Sequence, residues 1–366
     1  MTRTVAKITN DEALLRLMST DANSQPSIYR PGPYWRRKCR RALAELKRHG
    51  LADFRGDRLS IGESFTDCVA LDVRNRFDAG LRKPLGLLFK SVPPFNKVMH
   101  AQVALTSSYA REARRLRNIL FNVNSRVAEL LAKYKMPYSL AGGCVDFVDV
   151  AGEKISAHYL SLLHQHDCVA KRLDFSTISS IFEIGGGFGV NVHLLLENYP
   201  QLRKVVYLDI PPNLYVGTEY LKLFYGDSVI DYRQTRGLDV IRFGDHDRIE
   251  ILAIAPWQIE RLDVAVDLIY DAHSFVAMGP DVVANYANWL RKLPHFSSTN
   301  IAMITFDNFD RTTTMDPETL PGFFPGRVFD RSMFAMLDER YGVIMFLSRG
   351  TRSATNTERE VQRAPA

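Results

Sequence analysis

Ile181-Phe-Glu-Ile-Gly-Gly-Gly-Phe-Gly-Val190 reads as a buried strand, Ser180 to Ile184, running straight into a glycine loop. The helical pattern Val190-Asn-Val-His-Leu-Leu-Leu-Glu-Asn-Tyr199 follows, and a second strand, Lys204-Val-Val-Tyr-Leu-Asp209, ends in a carboxylate. This is one strand–loop–helix–strand unit whose acid stands about twenty residues past the last glycine, the layout of a site for a ribose-bearing ligand. A carboxylate at a strand end accepts hydrogen bonds from both ribose hydroxyls, and Asp209 is placed to do so.

The loop chemistry narrows the ligand. A dinucleotide fingerprint needs G-x-G-x-x-G/A so that pyrophosphate rests on the helix N-terminus. Here Gly185, Gly187 and Gly189 alternate, and Val190 stands where that fingerprint wants its third small residue. Glu183, two residues ahead of the glycines, repels pyrophosphate and attracts an ammonium. A ligand with a ribose at one end and an amino acid at the other fits better, and a nicotinamide dinucleotide is the disfavoured reading. The run Glu183-x-Gly185-x-Gly187-x-Gly189, with Asp209 ending the next strand, resembles the first motif of class I S-adenosylmethionine-dependent methyltransferases. That resemblance implies a cofactor site built from Glu183, Gly185, Gly186, Gly187, Phe188, Gly189, Asp209 and Ile210.

The rest of the chain sets bounds. At 366 residues it has room for two domains, and 46% hydrophobic with 24% charged residues is the balance of a soluble globular protein. No apolar run reaches membrane-span length, and no signal-peptide stretch opens the sequence. Cys39, Cys68, Cys144 and Cys168 lack metal-type spacing, which points to reduced thiols in a cytoplasmic protein. The net charge of +6 is concentrated partly in Arg36 to Arg41 and Arg111 to Arg117, read as solvated helix faces because no nucleic-acid recognition motif accompanies them.

Outward from the glycine loop, alternating patterns predict an α/β domain. Pro212 suits the start of a helix that stops at Gly226, and a polar insertion spans Asp227 to Arg248. Buried strands are predicted at Ile249 to Ile254, Val266 to Tyr270 and Ile301 to Phe306, with a helix from Asp281 to Leu293 between the last two. Such alternation implies a Rossmann-like, mostly parallel sheet, with Tyr341 to Leu347 as an antiparallel edge strand. Some 180 residues precede the loop. Tyr34 to His49, stopped by Gly50, reads as a helix, Gly80 to Phe95 as a loop, Ala101 to Lys135 as a long helix, and Ser156 to Ala170 as another. The last carries His158, His164 and His166 on an interfacial or exposed face. The division expected is a mostly helical, substrate-covering region over 1–170, a cofactor-binding domain over 171–350 and a disordered tail over 351–366.

Tyr34-Trp35, the basic helix and His49-Gly50-Leu51-Ala52-Asp53-Phe54-Arg55 resemble the N-terminal pattern of a bacterial family of sugar O-methyltransferases. Glu183 to Gly189, Tyr207-Leu-Asp-Ile-Pro211 and His273-Ser-Phe275 with Met278 are similar to its later motifs. The family's amide and acid around the His-Ser pair are Asp271 and Ala277 here. The resemblance implies methyl transfer from S-adenosylmethionine to a hydroxyl of a sugar or glycosylated metabolite.

Reacting groups of an open parallel sheet belong at the C-terminal ends of its strands. His273 is the expected base, because an alcohol attacks poorly while protonated, and Asp271 would orient the imidazole or act as base itself. Asp307 and Asn308, with Asp271, offer a rival Mg²⁺ site; the reading favours a metal-independent reaction. Ala255 and Trp257 are assigned to the cofactor, with stacking on adenine set against simple packing for the indole. Tyr29, Tyr34 and Trp35 are candidates to stack on a sugar or to serve as core. A phenolic or polyketide acceptor, or a non-catalytic protein that binds the cofactor, are the alternatives. Homo-oligomerisation is left open.

Overall fold

The computed structural model describes residues 8–56, 119, 121–122, 124–136, 140–306, 315–337 and 342–350. The loop over 80–95, most of the helix expected over 101–135, Arg111 to Arg117, Cys68, Asp307, Asn308 and the tail over 351–366 lie outside them.

Among the described residues eight strands form one sheet in the order β5-β6-β4-β3-β7-β8-β10-β9. They are β3 (Ser180–Ile184), β4 (Lys204–Leu208), β5 (Val229–Ile230), β6 (Glu250–Ile254), β7 (Leu268–Ala272), β8 (Asn300–Phe306), β9 (Asp330–Ala335) and β10 (Gly342–Ser348). All neighbours from β5 to β8 run parallel; β10 is antiparallel to both β8 and β9. The Rossmann-like sheet expected from the sequence is therefore present. Each of β3 and β6 is buried at every residue, which is why these strands read as unbroken apolar runs: helices cover both faces of a parallel sheet.

One expectation is corrected. β10 is not the edge strand, since β9 pairs along its outer side with Met345 opposite Ser332. β9 alternates exposed and half-buried positions in Asp-Arg-Ser-Met-Phe-Ala, so it carries no apolar run to announce it. The polar insertion also holds structure: β5 and a short helix, Tyr232–Thr235, whose Asp231 cap accepts the Arg233 N–H at 2.9 Å.

Ahead of the sheet, α1 (Glu12–Ser24) buries Leu14, Leu15 and Met18, and α2 (Pro33–His49) buries Cys39, Ala42 and Leu46. Proline at its first turn starts α2, and Gly50, at φ +66°, ends it by donating to the Leu46 carbonyl at 2.9 Å. Arg36, Arg40 and Arg41 are exposed, so this part of the basic run is a solvated face. α3 (Ser125–Lys133) follows, then a hairpin that the helical reading of this region omits: β1 (Phe147–Val150) and β2 (Glu153–Ser156). Its turn, Ala151-Gly152, takes φ of 52° and 84°, the paired left-handed geometry of a tight hairpin. α4 (Ala157–Ala170) packs against α5 (Val190–Asn198). His164 and His166 are buried rather than exposed, His164 against the Ala335 carbonyl and His166 against the Tyr199 hydroxyl at 2.7 Å. Burial pushes His166 down to about 3, so it stays neutral. α6 (Pro211–Tyr225), the short α7 (Tyr232–Thr235) and α8 (Pro280–Leu290) complete the layers. Among the described residues no helix is long and apolar enough to cross a membrane.

Candidate active site

The chain runs from β3 outward to β4 and β6, then returns to lay β7 on the other side of β3. Loops leaving the C-terminal ends of β3 and β7 therefore diverge, and ligands bind in the crevice so opened. A cleft of about 310 Å³ lies there, lined by Gly185 to Phe188 after β3, Asp209 and Ile210 after β4, and Ala272 to Ser274 after β7.

The alternating glycines have a conformational reason: Gly185, Gly187 and Gly189 all have positive φ (65°, 61° and 81°). At Gly185 space is also lacking, because an added Cβ would stand 2.1 Å from the Ser274 Oγ, which itself donates to the Gly185 carbonyl at 3.0 Å. A Cβ on Gly186 would stand 2.8 Å from a carboxylate oxygen of Glu183, so that acid lies directly beneath the loop. Tyr207 supports the loop from below, donating to the Gly187 carbonyl at 2.6 Å with the Asn213 carbonyl at 3.2 Å as second acceptor. Asp209 accepts the Gly187 N–H at 2.7 Å on one oxygen and the Ile210 N–H at 2.6 Å on the other.

Glu183 and Asp209 are both buried, and neither forms an ion pair among the described residues. Burial pushes the Glu183 carboxyl up to about 7, against the neighbouring Asn191 amide and Val192 N–H that favour its charged form. Burial likewise pushes Asp209 to about 7, against the N–H groups of Ile210 and Gly187. The Cys39 thiol of α2 is raised to about 12 by burial first and then by the Asp209 charge, so α2 approaches this acid. Two buried acids without an ion pair among the described residues, one of them below a loop of backbone N–H groups, suit a ligand that brings hydroxyl donors and a positive charge. They do not suit phosphates.

Across the cleft, His273 stands at the end of β7 with φ +66°. Its ring stacks on Phe306 of β8 (centroids 3.9 Å apart, planes within 11°), and its Nε2 lies 2.9 Å from Gln165 Oε1 of α4. Asp271 is placed differently from its expected role. It is fully buried, does not line the cleft, and accepts the Phe275 N–H at 3.0 Å, capping the turn that carries His273. Burial pushes its carboxyl up to about 8, opposed by the N–H groups of Phe275 and Ser274 and assisted by the Glu183 charge. Among the described residues the imidazole Nε2 meets Gln165, not Asp271. Among the described residues no cluster of three His, Cys, Asp or Glu side chains is suited to a metal, and the rival site's Asp307 and Asn308 lie outside them.

Tyr29 and Trp35 line the cleft, Tyr29 also donating to Glu260. Ala255 and Trp257 do not line it: Ala255 is fully buried, and Trp257 packs edge-on against Tyr232 and donates to its hydroxyl at 3.2 Å. A strand end fixes the height of a residue in the sheet but not the direction its side chain takes after the turn, and Trp257 turns away. Sequence reasoning gave no site role to Gln165, Asn191 or Asn213, and read His158 as part of an interfacial or exposed helix face and Lys38 as part of a solvated one; all but Gln165 line the cleft. Asn191, second residue of α5, offered a signal in its polarity within an otherwise apolar helix start.

No family model and no curated protein matches the chain. Solved structures do resemble it. The mitomycin 7-O-methyltransferase MmcR is 16% identical over 94% of this chain and 74% of that one, with a TM-score of 0.37. The pyocyanin biosynthetic protein PhzM is 12% identical over 52% of this chain and 57% of its own, TM-score 0.36. Human N-acetylserotonin methyltransferase, in complex with SAM, is 12% identical over 53% of this chain and 54% of its own, TM-score 0.34.

Proposed function

We propose that the protein is an S-adenosylmethionine-dependent O-methyltransferase whose acceptor is a hydroxyl of a sugar or glycosylated metabolite. The observation that carries this reading is the pair of buried acids around three left-handed glycines, Glu183 beneath the loop and Asp209 clasping it, neither in an ion pair among the described residues. Asp209 would accept from the ribose hydroxyls, while Glu183 and the Asn191 amide would face the amino-acid end. When bound, S-adenosylmethionine supplies an electrophilic methyl on a sulfonium. The chain's own part is to hold the acceptor oxygen in line and to take its proton, a role we assign to His273 at the cleft wall opposite the glycines.

Region 1–170 would cover the acceptor. Ile28 to Gly32 ahead of α2, Trp35 and Lys38 of α2, and His158 of α4 line the same cleft as the glycine loop, which supports that division. A flat face of a sugar can stack on Trp35. An aromatic acceptor is the second reading, favoured by the apolar wall of Val276, Met278 and Phe306.

Calorimetry should show binding of S-adenosylmethionine and S-adenosylhomocysteine with NAD and NADP silent. Transfer of labelled methyl to a panel of glycosides and phenols then separates the two acceptor classes. Tight NAD binding would overturn the cofactor assignment, and binding without turnover on any acceptor would favour a non-catalytic role.

A further inference from the structure

Among the described residues His273 is held from three directions. Its backbone N–H donates to the Ile304 carbonyl at 2.8 Å, its ring stacks on Phe306, and its Nε2 meets Gln165 Oε1 at 2.9 Å. A non-glycine residue at φ +66° costs conformational energy and persists where its surroundings over-determine it. The least expected of the three contacts is Gln165. It lies in α4, more than a hundred residues ahead of His273, and is 2% exposed.

The orientation of its amide is decided by its other neighbour. The Gln165 amide nitrogen stands 3.6 Å from the Met336 sulfur. A thioether accepts hydrogen bonds and cannot donate, so the NH₂ belongs on the sulfur side and the carbonyl on the imidazole side. A carbonyl only accepts. The imidazole Nε2 must therefore carry the hydrogen, and in a neutral ring the lone pair is then on Nδ1.

We infer that Gln165 is a positioning residue that locks His273 in its Nε2–H tautomer and so leaves the ring's lone pair on Nδ1, a buried atom through which a base at this position would have to act. This rests on the reading of His273 as the base. An amide suits the task better than an acid would. A carboxylate at this place would orient the ring but would also favour the imidazolium, which has no lone pair to accept with. The neutral oxygen of Gln165 fixes orientation with a weaker pull toward the charged ring. The residue that sets the chemistry of the β7 loop thus comes from the helix preceding the glycine-loop domain.

The test reads the tautomer directly in the full-length protein labelled with ¹⁵N-histidine. Long-range ¹H–¹⁵N correlation spectra distinguish the two ring nitrogens, and the His273 signals are those lost in His273→Asn. The expected result is the Nε2–H form in the wild type, a shift of at least tenfold in the tautomer ratio in Gln165→Leu, and in Gln165→Glu a ring that stays protonated to higher pH and takes the Nε2–H form once neutral. A wild-type ring in the Nδ1–H form would overturn the inference, and that measurement needs no variant to fold. An unchanged ratio in a Gln165→Leu protein that still binds S-adenosylhomocysteine would overturn it as well. Normal turnover by His273→Ala would instead remove the base reading while leaving the tautomer measurement intact, so the two failures are separable.

Discussion

The Asp209 carboxylate accepts the Gly187 N–H at 2.7 Å, so the acid that ends one strand clasps the loop that ends its neighbour. Removing it takes away both an acceptor for ligand hydroxyls and the tie that holds the loop in place. Asp209→Ala should weaken binding of S-adenosylhomocysteine by roughly 1.5–3 kcal/mol, the scale of a lost hydrogen bond to a charged group, as titration calorimetry would measure. Unchanged affinity would mean that Asp209 serves the loop alone.

Glu183 and Asp209 at about 7, with Asp271 at about 8, bind protons in the folded protein well above the ordinary carboxylate range. Between about pH 6.5 and pH 8, above the range in which the buried His166 and His193 take up protons on unfolding, the folded state holds more protons than the unfolded chain, so stability falls as pH rises through that window. The ligand-free protein should melt at a lower temperature at about pH 8 than at about pH 6.5. A ligand ammonium beside Glu183 favours the ionised acid. Binding below about pH 7 should therefore release a proton, visible as a binding heat that changes with the ionisation enthalpy of the buffer. A heat independent of buffer would count against the ammonium site.

Replacing His273 by Ala should lower kcat about 10²–10⁴-fold with cofactor affinity nearly unchanged. Single-turnover rates and calorimetry on the same variant separate the two. A variant that instead loses the cofactor would mark His273 as part of the loop's support.

Gly185→Ala forces both a left-handed alanine and a contact 2.1 Å from the Ser274 Oγ. It should cost more than the roughly 1–2 kcal/mol of a left-handed residue alone and should weaken cofactor binding with it. Adding Ser274→Gly removes the clash and should restore part of the loss. If Gly185→Ala melts like the wild type, the loop is looser than its hydrogen bonds imply.

Methyl transfer should survive exhaustive EDTA treatment. Asp271 already spends one carboxylate oxygen on the Phe275 N–H and lies outside the cleft, which leaves it poorly placed as a ligand for an acceptor-binding metal. Loss of activity restored by Mg²⁺ would reverse this and return Asp307 and Asn308 to the site.

The central sheet was legible because its signals are local. β3 begins and ends where the apolar run does, and Gly50 and Gly226 stop their helices as glycines with positive φ do. What stayed hidden depends on neighbours distant in sequence. β9 is a strand only because β10 pairs with it, and the β1–β2 hairpin is too short and polar to stand out from the helices around it. The same holds in the site. The glycine loop, Glu183 and Asp209 are written in one continuous stretch, whereas the meeting of Gln165 with His273 joins residues more than a hundred apart. Trp257 and Asp271 sit at the strand ends where they were expected, but their side chains serve Tyr232 and Phe275.

The switch between β3 and β7 divides the cleft's walls by origin. The acids and glycines come from the β3–β4 half, while His273, Val276, Met278 and Phe306 come from the β7–β8 half, where Met315 also ties in through its N–H to the Val276 carbonyl at 3.0 Å. Each half has its own hydrogen-bonded scaffold, and Ser274 to Gly185 is a link between them. A protein partitioned this way is a workable starting point for retargeting: libraries confined to Val276 and Met278 can explore new acceptors while Phe306, which supports His273, and the acids and glycines proposed to hold the methyl donor are left untouched.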